Sequence, residues 1–290
     1  VIIIQIRRPL LIILMFVVAI SFIITNNTKN DEELNDKIIT IQGVVKGKIE
    51  KKRYNQYKVG VFLINDYTKN KNLKIGQKVN ITGKFKSLDK MKYDDFDYGR
   101  YIKSTGYKGI VYINNYKIID KNKLYSLIGE IKFYISKTYR YLYKKNSDFI
   151  NSILLAEVEN LTEEQKEIFT RTGTSHVISI SGLHTGILCV IISFLLRGIN
   201  KLYKLLILSI FITLYCIMVG ASPSIIRSIA FVMIFYLSIF IDRKKDGISA
   251  LSLIGIILIM NNPYVIYNVS FQLSFLATLS ILIFYNKINS

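Results

Sequence analysis

Apolar segments at roughly 176–196, 203–220, 223–241, 247–260 and 264–285 follow one another with only short connectors between them. Runs of that kind have to leave water, so they constrain the fold more than any other feature of the chain. Their connectors give an independent reading of direction. With residue 176 on the outer side, RGINKLYK (Arg197, Lys201, Lys204) and DRKKDG (Arg243, Lys244, Lys245) both fall on the inner side. GASPS and NNP, on the outer side, carry no charge. Every basic short loop is then cytoplasmic, as the positive-inside rule requires. A further apolar run, PLLIILMFVVAISFIIT at 9–25, follows Arg7 and Arg8. It is short for a span, which needs about 20 residues, and a cleaved signal peptide is the competing reading. No small-x-small cleavage site follows in ITNNTKN, which favours a retained anchor sending residue 26 outward.

The remaining chain is of another kind. Overall there are 39 basic and 20 acidic residues, a net charge of +19, yet 51% of residues are hydrophobic. High charge beside high apolarity implies segregation into spans and wet segments. Residues 26–126 hold 22 basic and 11 acidic residues, a net +11. Strand-like runs at 38–50, 57–66, 78–87 and 107–120 are separated by turn-rich connectors such as TKNKNLKIGQ. In the third run Val79, Ile81, Gly83 and Phe85 alternate with Asn80, Thr82 and Lys84, the period of a half-buried strand. A small β-barrel of oligonucleotide-binding type fits, and a generic small sheet fits nearly as well. Residues 127–172 read as amphipathic linking helices, with Leu127, Ile128, Ile131 and Ile135 on a surface and Lys132, Lys137 and Arg140 facing water. Thr162 and Gln165 form a capping-box start for a short helix there. The expected architecture is therefore an α+β membrane protein: an anchor at 1–25, an extracytoplasmic barrel at 26–126, linking helices, and a polytopic helical domain at 173–290.

Several residues in or beside the apolar segments are chemically out of place. His176, Ser181, Gly182 and His184 lie in one polar stretch that opens the first of the five segments. Gly182 and Gly186 form a Gly-x-x-x-Gly pair suited to close helix contact. His184, about 12 Å down at 1.5 Å per residue, needs a partner, and Ser181 is one turn away. Arg227, with Ser224 and Ser228 beside it, either snorkels to the outer interface or lines a polar cavity that would suit a polyanionic cargo. Gln272, with Ser270 and Ser274, forms a polar stripe suited to hydrogen bonding between helices. In the outer domain ten tyrosines are interleaved with basic residues, and Lys51, Lys52, Arg53, Tyr54 and Tyr57 are candidates for contact with single-stranded nucleic acid. Compositional bias toward Ile, Lys, Asn and Tyr is the competing account of that pattern. Cys189 and Cys216 sit in apolar stretches as small buried residues, and no Cys-x-x-Cys, His-Glu-x-x-His or phosphate-binding glycine loop occurs. No metal or cofactor is expected.

Four segments resemble, in order, motifs of the ComEC family, the membrane channels of bacterial competence: FDYGRYIKSTGYKGIV (96–111), LTEEQKEIFTRTGTSHVISISGLHTGIL (161–188), GASPSIIRSIAFVMIF (220–235) and NPYVIYNVSFQLSFLATLSI (262–281). The resemblance implies a multi-pass channel passing one DNA strand inward, an outer domain of oligonucleotide-binding type, and no catalysis of its own. It implies that His176, Ser181, Gly182, His184, Arg227 and Gln272 match recurrent motif positions. Single-stranded DNA, membrane lipid, and other competence proteins or further copies of the chain are the implied partners. The family's later helices and its C-terminal hydrolase-like domain have no counterpart, so a truncated member or a fragment is expected. Two other functions stay open on the residues alone. One is an intramembrane serine hydrolase with Ser181 as nucleophile and His184 as base; the other is a structural or sensor membrane protein.

Overall fold

The computed structural model describes residues 8–28, 32–51, 53–69, 72–93, 96–174, 182–220, 225–226, 229–230, 233–234 and 246–288. Helix α1 (Pro9–Asn27) opens the chain. Strands β1 (Ile38–Glu50), β2 (Asn55–Val59), β3 (Phe62–Asp66) and β4 (Gln77–Ser87) follow, then a two-residue ladder of β5 (Lys92–Tyr93) and β6 (Phe96–Asp97). Helix α2 (Tyr98–Ser104) and strand β7 (Gly109–Lys121) complete this domain.

Five of these strands close into a barrel in the order β1-β2-β3-β7-β4, with β3 and β7 parallel and the other neighbours antiparallel. β1 closes it by serving two partners: Ile38–Val44 pair with β4 and Val45–Glu50 with β2, across a bulge between Val45 and Gly47. A bulge bends and twists the strand that carries it, which lets one strand turn a barrel corner. The alternation expected in β4 is borne out, since Val79, Ile81 and Phe85 face a core shared with Val45, Tyr57 and Ile64. Gly83 also points inward, and a Cβ there would lie 2.2 Å from the Tyr112 carbonyl oxygen. The run 57–66, read as a single strand from its sequence, is instead the hairpin β2–β3. Gly60 adopts φ +58° at its turn, a conformation that favours glycine.

Helices α3 (Lys123–Tyr143), α4 (Ser147–Leu155) and α5 (Glu163–Arg171) link the barrel to the apolar part. The capping box of α5 is present: the Thr162 amide donates to Gln165 Oε1 (3.0 Å) and the Gln165 amide to Thr162 Oγ1 (3.2 Å). On α3 the expected faces are partly exchanged. Ile128 and Ser136 are buried, and Lys132 lies between them on the same inward stripe, near Glu157. Phe133 and Tyr134 are each 71% exposed. Burial lowers the Lys132 pKa, and Glu157 only partly offsets this.

The apolar part contains α6 (Gly182–Leu195), α7 (Lys201–Val219), α8 (Gly247–Asn261), a 3-10 helix at Pro263–Tyr267, and α9 (Val269–Ile288). Two helices, α1 and α7, are long and apolar enough to cross a membrane; the described lengths of α6, α8 and α9 are shorter in apolar extent. The run 264–285 is therefore not a single helix. Asn262 caps the 3-10 turn through Tyr264, and Asn268 caps α9 through Phe271, so the side-chain carbonyls break the run in two. α1 packs along α8, with Leu14 against Leu251, Ile254 and Phe275. Its burial is inverted relative to a water-soluble helix. Ser21 (2%) and Thr25 (5%) are covered, while Met15, Phe16, Ile20 and Ile23 project outward.

Candidate nucleic-acid interface

The β1–β2 connector closes as a tight turn in which the Lys51 amide donates to the Tyr54 carbonyl (3.0 Å). That turn lays the Tyr54 ring beside Tyr67, just past the end of β3, with centroids 4.8 Å apart. Tyr67 in turn lies 5.8 Å from Tyr112 on β7, a neighbour only because β3 and β7 pair in parallel. The three rings wall a cleft of about 210 Å³ that Asn65, Met91 and Tyr98 also line. Fully buried Asp66 fixes the approach of Tyr67 by accepting from the Thr68 amide (3.1 Å) and hydroxyl (2.6 Å). Gln56 Nε2 donates to Asn65 Oδ1 (2.9 Å), which orients the Asn65 amide at the cleft.

Positive charge flanks the aromatic wall. Lys51 Nζ sits 5.3 Å from the Tyr54 ring centroid. Partial burial opposes its charge, but the neighbouring Tyr54 hydroxyl and the carboxylate of Glu159 outweigh it, so its pKa lies above the ordinary value. A second, polar cleft of about 360 Å³ is lined by Lys48, Glu50, Asn55, Lys69 and Asn72. There Lys48 is 2.7 Å from Glu50 and donates to Asn72 Oδ1 (3.3 Å). The hydrogen bond from Lys48 holds the Glu50 carboxyl below its ordinary pKa.

Of the candidates in the barrel domain, Tyr54 lines the aromatic cleft with Lys51 beside it, Arg53 is exposed in the same turn, and Lys52 lies outside the described residues. Tyr57 does not reach the cleft. The ring is 0% exposed in the barrel core, because β2 alternates and Tyr57 falls on the inward face. Tyr67, Tyr112 and Asn65 were missed by sequence reasoning. The only signal was a tyrosine placed directly after an Asn-Asp strand end.

Among the apolar-segment candidates, His176, Ser181, Ser224 and Arg227 lie outside the described residues. Gly182 opens α6 and His184 sits in its first turn, beside fully buried Thr185. No described atom comes within 4 Å of a Cβ built on Gly186, so that glycine makes no close helix contact among the described residues. Gln272 is exposed, and its Nε2 donates to the Ile266 carbonyl (2.7 Å) in the preceding turn. It therefore ties the start of α9 to the 3-10 helix before it. Among the described residues no group of three His, Cys, Asp or Glu could hold a metal ion.

A polar junction, unforeseen from sequence, ties the barrel to the apolar helices. Asn262 Nδ2 donates to the Lys103 carbonyl (2.9 Å), and Asn268 Nδ2 to Ser104 Oγ (3.1 Å). The Arg100 guanidinium lies 4.6 Å from the Tyr267 ring centroid and Lys103 Nζ 5.1 Å from that of Tyr264. Ser21 donates to the Pro263 carbonyl (2.7 Å), so α1 joins the same cluster. At the other end of α1, Arg8 meets Asp246, the N-cap of α8 (3.4 Å).

A family model described as "Competence protein" matches residues 153–290. The chain is 26% identical over 165 residues to ComE operon protein 3 of Bacillus subtilis (strain 168), covering 56% of this chain and 21% of that protein. It is 30% identical over 125 residues to an uncharacterized protein of Aquifex aeolicus (strain VF5), covering 43% of this chain and 30% of that one. The chain thus spans between a fifth and a third of the length of these relatives. Among solved structures, aspartyl tRNA synthetase from Entamoeba histolytica matches over 58% of this chain and 36% of that one, at 11% identity and a TM-score of 0.23, too slight a likeness to carry a fold argument.

Proposed function

The chain belongs to the competence protein family of ComEC type, through residues 153–290 and its likeness to ComE operon protein 3, and from that premise we propose that it takes part in the uptake of single-stranded DNA across the cytoplasmic membrane. In this reading the apolar helices form part of a multi-pass channel and the basic barrel stands at its outer mouth. The observation that carries it is the placement of the barrel. It docks at the end of α1 opposite Arg8, on the uncharged NNP connector, while Arg8 and Asp246 meet at the far end. That is the polarity expected if basic ends face the cytoplasm. The outward-facing isoleucines and phenylalanines of α1 suit lipid, and covered Ser21 and Thr25 suit a protein interior that satisfies them.

The barrel would gather the strand electrostatically, through the lysines flanking its clefts. Arg227 and His184 would then meet it within the helices, and no catalytic step is assigned to Ser181. The test is transformation by naked DNA in cells whose only copy carries Arg227→Gln or Ser181→Ala. Arg227→Gln should lower transformation while membrane insertion stays intact, and Ser181→Ala should leave transformation unchanged. Undiminished transformation in cells lacking the chain altogether would remove the proposal.

A further inference from the structure

We infer that the tyrosine cleft of the barrel receives one unstacked nucleobase of the incoming strand, an inference that rests on the DNA-uptake reading above. Phosphate attraction alone needs only lysines, and those would do as well on any face of the domain. The cleft offers something more. Tyr54, Tyr67 and Tyr112 form a continuous series of rings with centroids 4.8 and 5.8 Å apart. Tyr67 is 55% exposed on a turn held by Asp66 and Thr68, and its ring is flanked by those of Tyr54 and Tyr112, so a large π-face is presented to solvent with little freedom left to lose. Asn65 at the cleft is oriented by Gln56 through its Oδ1, which leaves its Nδ2 to donate to the edge of a base. Lys51, beside Tyr54, lies where the phosphate of a stacked nucleotide would run, and Lys48 and Lys69 line the neighbouring cleft for the next stretch of backbone. A duplex keeps its base faces covered and cannot use such a site. The occupant is therefore a single strand.

The test uses the full chain in lipid nanodiscs and labelled probes of equal length and charge: oligo-dT, an abasic phosphodiester strand and a duplex. At about 50 mM salt oligo-dT should bind more tightly than either other probe. Tyr67→Ala should weaken oligo-dT binding about 5- to 150-fold, the loss of one stacked base, and leave the abasic strand unaffected. Tyr67→Phe, which keeps the ring, should bind as the parent does. Equal affinity for oligo-dT and the abasic strand, or equal loss for both in Tyr67→Ala, overturns the base site while leaving DNA contact intact. A loss in Tyr67→Phe as large as in Tyr67→Ala overturns it too, since the hydroxyl and not the face would then carry the contact. Failure of all three probes to bind refutes the uptake reading as it concerns the barrel, and the base site with it.

Discussion

Gly83 shows how tightly the barrel limits single residues. A methyl group there would meet the Tyr112 carbonyl at 2.2 Å and Val111 Cγ1 at 2.8 Å, beside a register shift between Thr82 and Gly83. Backbone cannot yield as a side chain tip can, so Gly83→Ala should cost at least about 1–3 kcal/mol, read as a lowered denaturation midpoint. Lys58 illustrates the opposite case. Burial lowers its pKa from the ordinary 10.5 and Glu159 offsets this only in part, and no carboxylate among the described residues lies within ion-pair distance. With the folded value below the unfolded one, the unfolded chain holds the proton more tightly. Stability therefore rises as pH climbs through the window between the lowered value and 10.5. Lys58→Met keeps the stem that packs on Gly47 and removes the charge. It should melt at the same temperature as the parent or higher at neutral pH, with a flatter alkaline profile.

Among the elements, α5 carries the clearest local instruction. Its reciprocal Thr162–Gln165 bonds satisfy amides that a helix start leaves open. Thr162→Ala should cost roughly 1 kcal/mol, seen as faster hydrogen exchange confined to residues 163–171. α3 and α1 carry a different instruction, since both turn aromatic or aliphatic side chains outward and polar ones inward. On α3 the stripe Ile128–Lys132–Ser136 faces inward, where Ser136 Oγ donates to Glu157 (3.1 Å). Periodicity marked α3 as two-faced, whereas α1 read as an apolar run throughout. It did not say which face would be covered, because in lipid the apolar face is the free one.

For the whole molecule, the decisive contact is the junction of α2 with the Pro263–Tyr267 turn. Asn268 works in both directions there: its Oδ1 accepts from the Phe271 amide and caps α9, while its Nδ2 donates to Ser104 Oγ of the barrel domain. Asn268→Ala should therefore speed hydrogen exchange in 98–104 and 269–275 together, by about 1–2 kcal/mol of local stability. Faster exchange in α9 alone would mean that the barrel does not depend on this bond. Tyr98, at the first position of α2, also lines the tyrosine cleft. One short helix thus touches both the tyrosine cleft, through Tyr98, and the docking contact, through Ser104.

Patterns that act within a few residues were legible in advance: the alternation of β4, the capping box before α5, and the motif segments that carry the family resemblance. The first two depend on local backbone preference alone, and the third is written in the order of residues along the chain. The placing of Tyr57 in the core and Tyr67 at the cleft, the inward turn of Lys132, and the meeting of Asn268 with Ser104 were decided only by tertiary structure. Those depend on barrel closure, where Phe62–Asn65 pair with Gly109–Tyr112, and on the docking of segments more than 150 residues apart. Composition and periodicity carry no record of either, because a sequence lists neighbours along the chain and a closed barrel creates neighbours across it.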